Sequence, residues 1–283
     1  MNELYQKINA EIRNADAVLI GASNGLSISE GYNIFADDTW FRENFGDFRT
    51  RYGIRSVLQG MFFRFPSEEV KWAFFSRLIS RKCYQEKPSK MMCDLYELVR
   101  SKDYFVVTSN GEDHFVPAGF DRDKVFELEG SMTQLCCGAG CCDGVTENRE
   151  AVLRMAEAEN GGRVPTELIP CCPKCGAPMK INMADSDDFF RTEQFRRKMQ
   201  DYQDFIHKYH GKKLVILELG VGWRNRMIKE PLMRLIETEP KVTYITFNKG
   251  EIYIPPEIAK KSIGVDGDIS DALDEIRKAG TSL

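Results

Sequence analysis

Seven of the nine cysteines lie between Cys136 and Cys175, as Cys136-Cys137-Gly-Ala-Gly-Cys141-Cys142 and Cys171-Cys172-Pro-Lys-Cys175-Gly. Two short thiolate knuckles suit a tetrahedral zinc ion, because two pairs can close on the metal without a preformed core. Cys172-Pro-Lys-Cys175-Gly is the stronger half: proline fixes one turn residue, and glycine lets backbone amides turn toward sulfur. In the first half several pairings satisfy the spacing, and Cys137 with Cys141 is favoured. The expected ligands are then Cys137, Cys141, Cys172 and Cys175, with Cys136, Cys142 and Cys171 as idle neighbours or, less simply, a redox set. Four thiolates leave no position for water, so the site reads as structural. A disulfide cluster is the alternative. Met1 to Arg13 reads as an amphipathic helix rather than a secretory leader, so reduced thiols and a cytoplasmic setting are expected.

A second group of chemistry-bearing residues sits in turns. These are Gly21-Ala22-Ser23-Asn24-Gly25, Thr108-Ser109-Asn110-Gly111, Leu219-Gly220-Val221-Gly222 and Phe247-Asn248-Lys249-Gly250. Glycines let amides approach a pyrophosphate, and Ser23, Asn24 and Ser27 can add hydrogen bonds. The first turn lacks the spaced-glycine dinucleotide fingerprint and has no Walker lysine, so alone it fits a ligand-free strand-to-helix turn equally well. Four such turns outweigh any one. His114 lies four residues beyond Asn110 and reads as a packing residue, and His207 and His210 read as surface residues on an amphipathic stretch. Arg224 and Arg226 serve either a phosphate or solvent. Trp40, Phe41, Phe45 and Phe48 have helical spacing, fitting a core or a lid.

The elements that must position these turns follow from the runs before them. Residues 17–20, 104–107, 214–217 and 242–245 are continuous apolar or β-branched runs, as in strands buried on both faces. They alternate with helical stretches, which gives an α/β fold, a Rossmann-like parallel sheet with helices on both faces. Ligands of such sheets bind at the carboxyl ends of the strands. Residues 66–99 read as helices, and 32–52 are dense in aromatics and charges. At 283 residues, 42% hydrophobic and 29% charged, the chain can bury a sizeable core. A net charge of −4 gives no basic footprint for nucleic acid, and no apolar run approaches the roughly 18 residues of a membrane span, so neither is expected as a partner.

Six motifs then stand in a telling order. They are Ser23-Asn24-Gly25-Leu26-Ser27 with Glu30-Gly31, Thr108 to Glu112 with Ala118-Gly119, and Glu127-Leu128-Glu129-Gly130-Ser131 just ahead of the cysteines. Gly220-Val221-Gly222, Thr246-Phe247-Asn248 and Gly267-Asp268-Ile269 follow. Through these the chain resembles the sirtuin family over nearly its whole length. The resemblance implies NAD as co-substrate beside structural zinc. It implies cofactor binding by Ser23, Asn24, Gly25, Ser27, Ser109, Asn110, Gly220, Gly222, Asn248 and Asp268. It also implies a large Rossmann-like domain over 1–31, 100–130 and 186–283, and a small lobe from insertions 32–99 (helical) and 131–185 (zinc module). By family position the Trp40 to Phe48 cluster would be a lid over the cofactor.

The departures bear on function. Where sirtuin deacetylases carry a general-base histidine, this chain has Glu129. Ile34-Phe35-Ala36 replaces their Phe-Arg dipeptide, and residues 181–185 replace their Phe-Gly-Glu substrate loop. Leu217 to Gly222 and Pro66 to Trp72 are similar to the macrodomain-linked microbial sirtuins. That group implies protein ADP-ribosyl transfer, with a lipoylated carrier protein as the acceptor. Its histidine position is commonly Gln, and its Asn-x-Asp turn is kept; here Glu129 and Glu112 stand at those places. Catalytic roles are expected for Asn110, Glu112 and Glu129: the carboxylate of Glu129 would stabilise positive charge on the ribose or act as a base, with burial beside Glu112 raising one of the two pKa values. The expected activity is an NAD-dependent protein ADP-ribosyltransferase, with a protein-lysine deacylase or a non-catalytic NAD sensor as alternatives.

Overall fold

The computed structural model describes residues 2–185 and 189–281. Its strands are β1 (Ala17–Ala22), β2 (Asp103–Thr108), β3 (Val125–Glu127), β4 (Gly130–Cys137), β5 (Val145–Glu147), β6 (Met179–Met183), β7 (Leu214–Leu219), β8 (Val242–Phe247) and β9 (Ser262–Val265). Its helices are α1 (Asn2–Asn14), α2 (Asn24–Ser29), α3 (Thr39–Tyr52), α4 (Val57–Met61), α5 (Glu68–Ile79), α6 (Lys90–Val99), α7 (Arg149–Ala158), α8 (Glu193–Lys208), α9 (Arg226–Thr238) and α10 (Ile269–Thr281). Six strands form one parallel sheet in the order β3-β2-β1-β7-β8-β9, and β5-β4-β6 form a separate antiparallel sheet. Counting only the large sheet's own strands, the order is the doubly wound 3-2-1-4-5-6, whose reversal point lies between β1 and β7.

Register makes that point a site. Ala17 pairs with Asp103 and Leu214, and Ala22 with Thr108 and Leu219, so β1, β2 and β7 end level. The turns that follow must therefore converge. Alternation along the strands sorts the side chains into two cores. Val18, Ile20 and Ala22 pack with Ile8, Leu95 and Ile276 of α1, α6 and α10 on one face. Ala17 and Leu19 pack with Phe205 of α8 and Leu232 of α9 on the other.

One helix packs elsewhere than its insertion suggested. The insertion expected over 32–99 stops short of α6, whose Met91, Met92, Leu95 and Val99 join the sheet's core beside α1 and α10. The boundary expected at 186 falls outside the described residues. The small lobe gathers α3, α5, α7, β4 and β6 around its own core. There the lid expectation for the aromatic cluster gives way: Phe41, Phe45 and Phe48 are at most 1% exposed. Phe45 and Phe48 meet Phe74 of α5 at ring-centroid distances of 4.7 and 5.4 Å. Helical spacing put one stripe of α3 against α5, and each such buried ring contributes roughly 1.5–3 kcal/mol by burial alone. Trp40 is half-buried at the edge of the cluster.

Beneath the switch point, Glu218 of β7 is wholly buried and accepts from Lys229 Nζ at 2.7 Å and Thr246 Oγ1 at 2.9 Å. Lys229→Met strands that carboxylate, and a loss of about 3–5 kcal/mol in urea unfolding is expected. Glu218→Leu combined with Lys229→Met should recover most of it; no recovery would mean the pair is not what the single change breaks.

Candidate active site and metal centre

The site begins with two glycines. Gly25 N donates to Gly220 O at 3.0 Å, and Gly220 has φ +62°. A Cβ on Gly25 would lie 2.5 Å from Gly220 Cα, and one on Gly220 would lie 2.4 Å from Gly25 Cα. Only glycine permits this approach, and it closes the turn after β1 onto the turn after β7.

Beside this contact opens a cleft of about 370 Å³ between the sheet and the small lobe. One wall is polar, with Asn24, Ser109, Asn110, Glu112 and Glu129. The opposite wall is apolar, with Phe35, Phe62, Phe63, Trp72 and Phe75 from the helical insertion. β6 adds Lys180, Ile181 and Met183. The polar wall is held from behind. Asn110 Nδ2 donates to Ser27 Oγ at 2.8 Å and to Ser23 O at 3.2 Å, and Ser27 Oγ donates to Glu112 Oε1. Ser109 Oγ donates to Ser23 Oγ at 2.9 Å. The Asn110 amide is thus fixed by its nitrogen, while its buried Oδ1 has no partner. A buried acceptor left open costs about 1–3 kcal/mol until something donates to it, which suits a hydroxyl-bearing ligand.

Three carboxylates stand near this wall in different states. Glu129, in the turn between β3 and β4, is half-buried, and burial alone raises its pKa. The Glu112 carboxylate is turned away to Ser27 and adds nothing to that rise. Glu127, on edge strand β3, is half-buried; burial first, then the Asp113 charge, drives its pKa up.

The remaining expected cofactor residues lie at strand ends farther along the sheet. Gly222 follows β7, and a Cβ there would meet Glu251 Oε2 at 3.3 Å. Asn248 Nδ2 donates to Val221 O at 3.5 Å and to Glu251 O at 3.4 Å. Asp268 caps α10, accepting from Ser270 N at 2.8 Å, and accepts from Ser29 Oγ of α2 at 3.3 Å. None of these three lines the 370 Å³ cleft. His207 and His210 are exposed, as expected. His114 does more than pack: its Nδ1 is paired with Glu30. Two features had no signal of their own in the sequence. Asn225 Nδ2 donates to Ser23 Oγ and Ser109 Oγ at 3.0 Å each, tying the turns after β1, β2 and β7 together. The apolar wall could have been suspected only from the aromatic density of residues 62–75.

In the small lobe Cys137, Cys141, Cys172 and Cys175 bring their sulfurs within 4.8 Å of one another. Cys137 and Cys175 are 3.6 Å apart, as are Cys141 and Cys172. Four thiolates about 2.3 Å from one zinc ion sit about 3.8 Å from each other, so this set fits the ion and leaves no open position. Cys136 and Cys171 face backbone carbonyls, and Cys142 lies 3.8 Å from Cys141, outside the set of four.

No family model matches the chain. Over 265 residues it is 30% identical to a protein ADP-ribosyltransferase of Staphylococcus aureus (strain Mu50 / ATCC 700699), covering 93% of this chain and 84% of that protein. A protein of Fusarium oxysporum f. sp. cubense, named as a probable bifunctional ADP-ribose hydrolase/ADP-ribosyltransferase, is 28% identical over 276 residues, 93% of this chain and 46% of its own. Among solved structures, one described for the mechanism and regulation of Sir2 enzymes superposes with TM-score 0.61 at 17% identity, covering 100% of this chain and 99% of that one. A Sir2 homologue in complex with NAD gives 0.58 at 15% identity, covering 98% and 94%. Those likenesses show the fold: a Rossmann-like sheet with a small zinc-type lobe. Among the described residues no helix is long and apolar enough to cross a membrane.

Proposed function

This chain belongs to the sirtuin family, and we propose that it is an NAD-dependent protein ADP-ribosyltransferase. The observation that carries the reading is its 30% identity, across 93% of its length, with the staphylococcal protein of that name. NAD supplies an activated ribose, whose bond to nicotinamide breaks with positive charge building on the sugar. Ser23, Asn24, Gly25, Ser27, Ser109, Gly220, Gly222, Asn248 and Asp268 would hold the dinucleotide along the carboxyl edge of the sheet. The Gly25–Gly220 contact supports this, since it leaves the crevice free of side chains where a backbone must approach phosphate. Asn110, its Oδ1 open, would accept from a ribose hydroxyl. Glu129 would stabilise the charge developing on the sugar, and its place beside Asn110 in one cleft supports that role. Glu112 would take the acceptor's proton. The large domain would comprise the sheet with α1, α2, α6 and α8 to α10, and the small lobe the two insertions with the zinc cysteines.

For the acceptor, we read a protein carrying a lipoylated arm. The support is the apolar wall of Phe35, Phe62, Phe63, Trp72 and Phe75 across from the polar one, with Phe35 and Phe62 exposed at 52% and 77%. A long, largely apolar arm would bury against it. Incubation with NAD should release nicotinamide only when an acceptor is present, with the acceptor gaining ADP-ribose by mass spectrometry. Loss of an acyl group instead would turn the reading to deacylation, and no nicotinamide with any acceptor would end both.

A further inference from the structure

Next to the cleft, His114 and Glu30 stand between Glu112 and a second space. Glu112 lines the cleft, and it also lines a closed space of about 10 Å³ together with Thr108, Asn110, Glu127, Glu30 and His114. A space of that size is about what one water needs; Leu26, Phe115 and Val125 make part of its wall, and Glu30, Glu112 and His114 are the polar groups that border it. His114 Nδ1 is 2.5 Å from Glu30 Oε2 and 4.0 Å from Glu112 Oε1. The outer side of the Glu30–His114 pair faces a second space of about 130 Å³, bounded by Lys82, Cys83, Glu86 and Ser89. Ser89 Oγ donates to Glu30 Oε1 there. The rim segment Ser80–Gln85 is π-helical, a local distortion frequent at functional sites.

We propose that Glu112, a single water and the Glu30–His114 pair form a proton exit from the back of the cleft, with His114 as its relay. The inference rests on the transfer reading. In that reaction the bond from nicotinamide to ribose breaks and its electron pair stays with nicotinamide, which leaves neutral. The acceptor heteroatom bonds to the ribose carbon and sheds one proton. That proton is a product and must leave a cleft that the bound dinucleotide and acceptor occupy. Glu112 receives it on the cleft side, and the pair delivers it to the outer space.

The groups around His114 suit a relay. They are Glu30 at the end of α2, Tyr32, Lys82 from the π-helical segment and Glu86 just after it, Glu112 and Asp113 from its own loop, and Glu127 from β3. Burial works against the imidazolium, but the hydrogen bond to Glu30 and the charge of Glu112 outweigh it, leaving the pKa above 6.5. The ring is therefore held toward its protonated form by the two carboxylates that face it.

The full chain holds only three histidines, so the ring signals of His114 can be followed by NMR without NAD. Glu112→Gln and Glu30→Gln should each lower its pKa; a value unmoved by both breaks the linkage and the proposal. In turnover, His114→Gln should lower kcat about a hundredfold, the low end for a lost proton-transfer group. The wild-type loss of rate on acidification through the histidine pKa should vanish in that variant, and added imidazole should restore rate in proportion to its concentration. A structural role alone gives neither effect. If the wild type turns over and His114→Gln matches it in kcat and pH profile, the relay is wrong while the transferase reading stands. If the wild type releases no nicotinamide with any acceptor, the transfer reading fails, and the relay with it, whatever the titrations give.

Discussion

Glu129→Gln is expected to slow nicotinamide release by about 10²- to 10³-fold, the cost of removing one preorganised group from a developing charge. Binding should be spared, because the ground-state dinucleotide carries no extra charge on the sugar for the carboxylate to meet. A calorimetric NAD affinity within about twofold of wild type, with kcat and kcat/KM lowered together, is the pattern of an interaction made only in the transition state. Gln keeps the size and hydrogen-bonding reach of Glu, so the half-buried turn between β3 and β4 should survive the change. The pH dependence carries the sign. Burial raises the Glu129 carboxyl above 4.5, and the useful form is the ionised one. Rate therefore falls as pH drops through that raised value, and Glu129→Gln removes this limb. Unchanged kcat in the variant would take Glu129 out of the mechanism and leave the chemistry to Asn110 and Glu112. Asn110→Asp is the complementary variant: it keeps an oxygen in place of Oδ1 but loses the donor to Ser27 Oγ, setting a second carboxylate against Glu112.

What could be read in the chain and what could not divide along physical lines. The four central strands were legible because burial on both faces leaves no polar alternation to mask them, and residues 17–20 sit within β1 as 214–217 do within β7. The edge strands β3 and β9 were not seen, being only 3 and 4 residues long. Spacing narrowed the cysteines to a few pairings, of which the favoured one is the set whose sulfurs gather, since a short knuckle can present only a few sulfur pairs to one ion. Helical spacing alone could not say which body a helix serves. α3 went into a core where a lid was expected, because spacing gives a helix's apolar stripe but not the surface that covers it, and α6 went onto the sheet for the same kind of reason. Ser23, Asn24, Ser109 and Asn110 could be named from their turns, whereas their mutual bonding through Asn225 depends on three strand ends meeting in register. His114 was underestimated similarly: its partner Glu30 is 84 residues away.

Removing zinc should have the larger structural effect. Zinc held by thiolates contributes roughly 10–16 kcal/mol to small metal-nucleated folds, comparable to or above the ~5–15 kcal/mol that stabilises a whole domain. The knuckles are placed where that energy reaches the cleft. Cys137 is the last residue of β4, and β6 begins at Met179, shortly after Cys175. The metal would therefore clamp the base of the β4–β6 pair, whose residues Met132, Lys180, Ile181 and Met183 wall the cleft. Chelation, or Cys172→Ser, should release the ion, expose Val152, Met155 and Met179 from the small-lobe core, and abolish turnover. The parallel sheet has its own two cores and should keep its far-ultraviolet dichroism while near-ultraviolet signals from the small lobe's aromatics collapse. Cys171→Ser is the control. It stands next to a ligand but turns its sulfur to Ile169 O, so one zinc per chain by elemental analysis, and full activity, should persist. Equal metal loss from the two variants would mean that the knuckle binds through a different sulfur than the geometry places there. Full activity after complete zinc removal would uncouple the clamp from the cleft it walls.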